Sequence, residues 1–131
     1  MTMENCSEFQ STVGMYLVRH RSILDVLSKL QESIARTNRA ITKAVTACGC
    51  VEIDASRQEM PDESNLGELI EYASTHLEGR LCPECRERIE SEIGKLLFYV
   101  AATCNLLDLK MDKIILQENK RISTLGIFSL T

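Results

Sequence analysis

Residues 23–50 read ILDVLSKLQESIARTNRAITKAVTACGC. From Ile23 the apolar positions fall at Leu27, Leu30, Ile34, Ile41 and Val45, with Thr37 in register, in steps of four and three that line one side of a helix. No glycine or proline interrupts the run. It closes on Cys48-Gly49-Cys50, where Gly49 can take backbone angles that other residues resist, so the helix is expected to stop there.

Working outward, Cys82-Pro83-Glu84-Cys85 opens the second long run, in which Ile89, Ile93, Leu96, Leu97, Val100, Cys104 and Leu107 recur at similar steps. Asp108 and Lys110 mark its end, and a last helix is expected from Met111 to Ile122, carrying Ile114, Ile115 and Leu116. Upstream, a helix is expected from about Glu8 to Arg19. Between the long runs, Val51 to Asn65 contains Met60-Pro61-Asp62 and reads as a loop. A short helix from about Leu66 to His76 follows, with Leu66, Leu69, Ile70, Ala73 and Leu77 on one face and Gly79 placed to end it. Strand signals are nearly absent. The pattern predicts an all-α fold, a helical bundle of about four to five helices, with residues 1–131 as a single domain. Two striped helices cannot shield each other completely, so the bundle is closed either within the chain or by a second copy, and a homodimer or higher homo-oligomer is expected.

The chain has 131 residues, 44% hydrophobic and 26% charged, the profile of a globular protein. Its net charge of −4 argues against general nucleic-acid binding or attachment to an anionic membrane, which both need a concentrated positive field. No apolar run approaches the roughly 20 residues that cross a bilayer. The first residues carry Glu4 and Glu8 rather than a basic end and a greasy stretch, so a cytoplasmic protein is expected. There the six cysteines stay reduced, and their even count reads as metal ligands rather than disulfides.

Cys48 and Cys50 end one long helix, and Cys82 and Cys85 begin the other. If the helices run antiparallel, four thiolates converge on one point. That donor set suits a closed tetrahedral site holding structural zinc, with no position left for a catalytic water. An iron–sulfur cluster and free or redox thiols are the alternatives. Cys-Pro-Glu-Cys resembles a disulfide oxidoreductase motif, but the βαβ setting of that chemistry is missing. Pro83 suits the first helical turn, and the positive helix end favours the thiolate of Cys85. The Cys-x-Cys pair is tighter than the usual knuckle, although Gly49 gives the backbone freedom to wrap an ion. Cys104 falls on the apolar stripe as a core residue, and Cys6 has no evident partner.

The segment Glu92-Ile93-Gly94-Lys95-Leu96-Leu97-Phe98-Tyr99-Val100-Ala101-Ala102, then Asn105-Leu106-Leu107-Asp108-Leu109 and Glu118-Asn119-Lys120-Arg121, resembles the second half of the MazG family. That family comprises all-α nucleoside triphosphate pyrophosphohydrolases, commonly dimeric or higher, which use magnesium to split NTPs or dNTPs into monophosphate and pyrophosphate. The resemblance covers about Glu90 to Gly126. It implies that Leu30-Gln31-Glu32-Ser33-Ile34-Ala35-Arg36 stands where the family carries E-E-x-x-E. Glu32 is kept, while Ser33 and Arg36 replace the other glutamates. In the family's E-x-x-D motif Glu92 is kept and Lys95 replaces the aspartate. Two carboxylates are a poor magnesium cage. Glu32, Arg36, Glu92 and Lys95 are therefore expected either to form a salt-bridge cluster across the two helices or to sit on solvated faces.

Asn119, Lys120 and Arg121 resemble the family's substrate-side basic segment and are candidates either for binding phosphate or for holding the bundle's end. Arg36, Arg39 and Lys43 form a basic stripe that can meet a phosphate or simply face solvent. His20 and His76 lack a companion for base–nucleophile chemistry. The expected function is a zinc-stabilised MazG-like module that has lost hydrolysis and serves binding or regulation, with a nucleotide as candidate ligand. One alternative is an active magnesium-dependent pyrophosphohydrolase that recruits Glu52, Asp54, Glu68 or Glu71. Another is a purely structural interaction module.

Overall fold

The computed structural model describes residues 3–59 and 66–126. The fold is all-α, with five α-helices and one two-stranded sheet among the described residues. The helices are α1 Met3–Tyr16, α2 Ile23–Lys43, α3 Leu66–Tyr72, α4 Pro83–Leu106 and α5 Met111–Leu125. The chain divides into two compact units, one holding residues 1–38 and 90–131, the other residues 39–89.

In the first unit, Cys6, Val13 and Leu17 from the α1 segment meet Val26 of α2, Ala101, Ala102 and Cys104 of α4, and Met111 of α5. All eight are buried, and Phe9, Phe98, Val100 and Leu106 pack against them. Alanines at 101 and 102 let neighbouring backbones approach closely, so the core is tight but made of small side chains. Arg36 of α2 lies beside Glu92 of α4 and Lys29 beside Tyr99, so α2 and α4 run antiparallel here.

Polar side chains fix the helix ends. The α1 helix starts and ends earlier than the expected Glu8 to Arg19. Its last turn closes where the Leu17 N–H donates to the Val13 carbonyl at 3.0 Å, and Arg21 Nη1 donates to the Leu17 carbonyl just beyond, 3.1 Å away. Ser22 then starts α2, its Oγ accepting the Leu24 N–H at 3.3 Å. At the other end of the unit, Asp108 takes a left-handed φ of 55° and the Leu109 N–H reaches back 2.8 Å to the Cys104 carbonyl.

Gln10 ties these pieces together. Its Nε2 donates to Asn105 Oδ1 at 2.9 Å and to the Leu109 carbonyl at 2.8 Å, and its Oε1 accepts the Met111 N–H at 2.8 Å. Asn105 Nδ2 donates back to the Gln10 carbonyl at 3.0 Å. Lys110 offers α5 no side-chain cap, so a residue of α1 supplies it. Gln10→Ala is expected to cost about 2 kcal/mol in urea unfolding, because it strands polar groups at the α4–α5 turn. An unchanged midpoint would contradict this role.

The second unit differs from the sequence expectation. Val51–Ile53 forms strand β1 within the segment read as a loop, and Leu77–Gly79 forms strand β2. They pair antiparallel, with Val51 opposite Gly79 and Ile53 opposite Leu77. The short helix stops at Tyr72 instead of continuing to His76, and Gly79 serves the strand rather than ending the helix. Ladder pairing across a long separation outweighs the helical spacing of Ala73 and Leu77. The part of the expected loop around Pro61 lies outside the described residues.

Candidate metal centre

The α2 run leaves α-geometry before it ends. Ala44–Cys48 forms a single π turn, closed by the Gly49 N–H on the Ala44 carbonyl at 2.9 Å, with Gly49 at a left-handed φ of 79°. Such π turns are frequent at functional sites. The reversal at Gly49 places Cys48 and Cys50 on the two sides of one bend, and β1 starts immediately after Cys50.

The second pair is set by a helix start. Pro83 occupies the first position of α4, where a missing N–H is harmless. Cys82 precedes it as the cap: its Sγ accepts the Cys85 N–H at 3.4 Å, and its carbonyl accepts the Arg86 N–H at 2.9 Å.

The β1–β2 ladder joins the two pairs. Gly79 is essential to the approach. A Cβ there would stand 2.6 Å from the Cys50 carbonyl oxygen, and the residue's φ of 87° is itself hostile to a side chain. Gly79→Ala is therefore expected to weaken metal binding at least tenfold in a competition titration, since the ladder must shift to admit the methyl group. Wild-type affinity would show that the ladder does not position the cysteines.

The result is a cluster of Cys48, Cys50, Cys82 and Cys85 whose sulfur atoms all lie within 4.8 Å of one another. Cys48 Sγ and Cys82 Sγ are 3.7 Å apart. Tetrahedral geometry with metal–sulfur bonds of about 2.3 Å requires sulfur separations of about 3.8 Å. The cluster can therefore hold a metal ion. Among the described residues, no other group of three or more His, Cys, Asp or Glu brings its ligand atoms together in this way.

Electrostatics favours a cation at this point. The Cys85 N–H bond holds the Cys82 thiol down at about 7. Proximity to Cys82, then burial, pushes Cys85 up to about 12. One thiolate forms easily, and like charge opposes the next. A bound cation removes that conflict, because metal binding displaces the protons. Around the cluster, Ala40, Ala44, Val51, Cys85 and Ile89 are the buried core, with Val45, Cys50, Leu81 and Cys82 against them. Three of the four ligands, Cys50, Cys82 and Cys85, lie in that core or directly against it, so the centre and the core are one structure.

The remaining two cysteines are elsewhere. Cys6 and Cys104 both belong to the core of the first unit, and burial pushes the Cys104 thiol up.

Glu32, Arg36, Glu92 and Lys95 come together in the first unit. Arg36 Nε is 3.3 Å from Glu92 Oε2 and its Nη1 is 3.7 Å from Glu32 Oε1. Lys95 Nζ is 3.8 Å from Glu92 Oε1. Sequence reasoning missed Lys29, whose Nζ is 3.0 Å from Glu32 Oε2, although its i,i+3 spacing was a usable signal. That hydrogen bond holds the Glu32 carboxyl below the usual carboxylate range. The Glu92 side chain is only 12% exposed, so the cluster is not a purely solvated face. A cavity of about 170 Å³ beside it is lined by Lys29, Glu32, Ser33, Arg36, Lys95 and Tyr99.

Asn119, Lys120 and Arg121 do not line that cavity. They are exposed on α5, where Arg121 is paired with Glu118 through Nε at 3.0 Å. Arg39, Lys43, Glu52, Asp54 and Glu71 are exposed. His76 has a left-handed φ of 57°, and its Nε2 is buried without a hydrogen-bond partner among the described residues.

No family model, curated protein or solved structure matches the chain. No helix among the described residues is long and apolar enough to cross a membrane.

Proposed function

We propose that this protein is a MazG-like helical module clasped by structural zinc, which has lost pyrophosphohydrolase activity and acts as a cytoplasmic binding or regulatory protein. The convergence of four thiols carries the reading. Zinc is preferred because sulfurs this close suit one ion, whereas an iron–sulfur cluster takes each cysteine on an iron of a larger core and spreads the ligands. A fully thiolate-ligated zinc has no open position, so its role is to hold the chain.

The loss of hydrolysis is supported by the cations at 36 and 95, which occupy the Glu32 and Glu92 carboxylates with ion pairs. Magnesium needs those oxygens free. The cavity bordered by Lys29, Arg36 and Lys95 favours a phosphate-bearing ligand such as a nucleotide, bound through cations rather than through a metal.

A homodimer completes the bundle. Leu27 and Ile34 of α2, and Ile93 and Leu97 of α4, are exposed. At about 100° per residue, and with the α2–α4 contact line set by Arg36–Glu92 and Lys29–Tyr99, both rows are turned away from that line. Exposed apolar rows on two helices are the surfaces that another copy covers when a helical bundle is completed by association.

The test is a panel of NTPs and dNTPs, assayed for pyrophosphate release with magnesium and manganese while binding is followed by calorimetry and mass by light scattering. Binding without turnover, by a dimer, is expected. Metal-dependent turnover would establish the enzyme instead, and neither binding nor turnover would leave a structural interaction module.

A further inference from the structure

We propose that the cysteine clasp is also a site of oxidative modification, in which peroxide joins Cys48 to Cys82 and expels the metal. The inference rests on the metal reading above and adds the chemistry by which the ion is let go.

The four ligands are unequally protected. Cys48 is exposed, Cys50 and Cys82 are partly buried, and Cys85 is buried. Oxidation of a thiolate begins at the sulfur a small oxidant can reach. Cys48 is that sulfur, at the end of a π turn and next to a glycine, with no side chain covering it at Gly49. Its neighbour Cys82 Sγ is 3.7 Å away, across 34 positions of sequence. A second sulfur at this range is what a resolving cysteine requires.

The steps balance as follows. The Cys48 thiolate attacks one oxygen of hydrogen peroxide, an S–O bond forms, the O–O bond breaks, and hydroxide leaves. The Cys82 thiolate then attacks Cys48 Sγ, an S–S bond forms, and the S–O bond breaks with loss of a second hydroxide. Two protons from solvent convert the hydroxides to water. The two sulfurs lose two electrons in total and the peroxide gains them. The ion is left with Cys50 and Cys85 alone, too few for a stable site, and departs.

The pairing matters more than the oxidation. A Cys82–Cys85 bridge would staple one helical turn to itself, as in ordinary Cys-x-x-Cys redox motifs. A Cys48–Cys82 bridge links the end of the α2 run to the start of α4, the segments the metal itself joins. The disulfide therefore replaces one clasp with another, and the second unit stays closed after its metal has gone.

Full-length protein loaded with zinc and treated with hydrogen peroxide tests this, using a chromogenic dye for released zinc and non-reducing peptide mapping for the bond. Stoichiometric release with a Cys48–Cys82 cross-linked peptide is expected, reversed by a phosphine reductant plus zinc. Trapping with a sulfenic-acid probe under limiting peroxide is expected to mark Cys48 first, and marking of Cys50, Cys82 or Cys85 in its place would overturn the order of attack. Protein that holds zinc but keeps it under peroxide, or that forms a Cys82–Cys85 bond, would overturn the inference and leave the clasp intact. Protein that binds no zinc in the reduced state overturns the clasp and this inference with it.

Discussion

Stripping zinc from the loaded protein with a strong chelator is expected to destabilise the second unit by about 4 kcal/mol, the linkage free energy of a ligand present at about a thousand times its dissociation constant. The buried core of that unit, among the described residues, is five side chains, two of them alanine and one a ligand. A unit so short buries too little apolar surface to hold itself without a staple. Its sheet has three residues in each strand, and isolated ladders of that size are unstable in water. Hydrogen exchange gives the readout. The amides of Val51–Ile53 and Leu77–Gly79 are expected to lose protection without metal, while those of Val13, Val26 and Ala101 keep theirs, because the first unit's core contains none of the ligands. Cys82→Ser is expected to reproduce the effect, since it removes a ligand while the serine hydroxyl still caps α4. Equal exchange in metal-loaded and metal-free protein would end the structural role assigned to the ion.

The two long helices were legible because their apolar residues repeat over many turns, and a repeat that long has no other economical explanation. The cysteine grouping followed from where those helices stop. What escaped the sequence lies where local and distant preferences conflict. Leu66, Leu69, Ile70, Ala73 and Leu77 have helical spacing, yet Leu77 is opposite Ile53 in a sheet. Val51-Glu52-Ile53 is too short for its alternation to register. These strands exist because the chain on either side is pinned: β1 follows Cys50 directly, and β2 ends two residues before Cys82 is reached through Arg80 and Leu81. Cys6 was overlooked for a related reason. The α1 helix alternates apolar and polar residues only weakly, and the burial of Cys6 is visible only once Cys104 and Met111 are seen in the same core. Gln10 carried no signal at all, since its partners lie about a hundred positions away.

Reversing one charge at position 36 should have a large effect in the first unit. Arg36 bridges Glu32 and Glu92, 56% exposed itself, while Glu92 is 12% exposed. Exposed ion pairs contribute little, but a mostly buried carboxylate that loses its cation has no such latitude. Arg36→Glu places a third negative charge between Glu32 and Glu92, and a loss of about 2 kcal/mol is expected in urea unfolding. Pairing Arg36→Glu with Lys95→Asp removes the second cation and leaves four neighbouring carboxylates against Lys29, which stays paired with Glu32. Such a cluster repels itself unless a divalent ion enters, so magnesium is expected to raise the melting temperature of the double variant by several degrees while leaving the wild type unmoved. Ser33 limits how far this goes. It is 4% exposed, so completing the pattern with Ser33→Glu would bury a carboxylate outright and cost more than the metal returns. Magnesium stabilisation of the double variant would show that the cationic residues occupy the place of a metal cage. If magnesium does nothing for it, the four side chains form a salt bridge and no more, and the resemblance loses its support at the site.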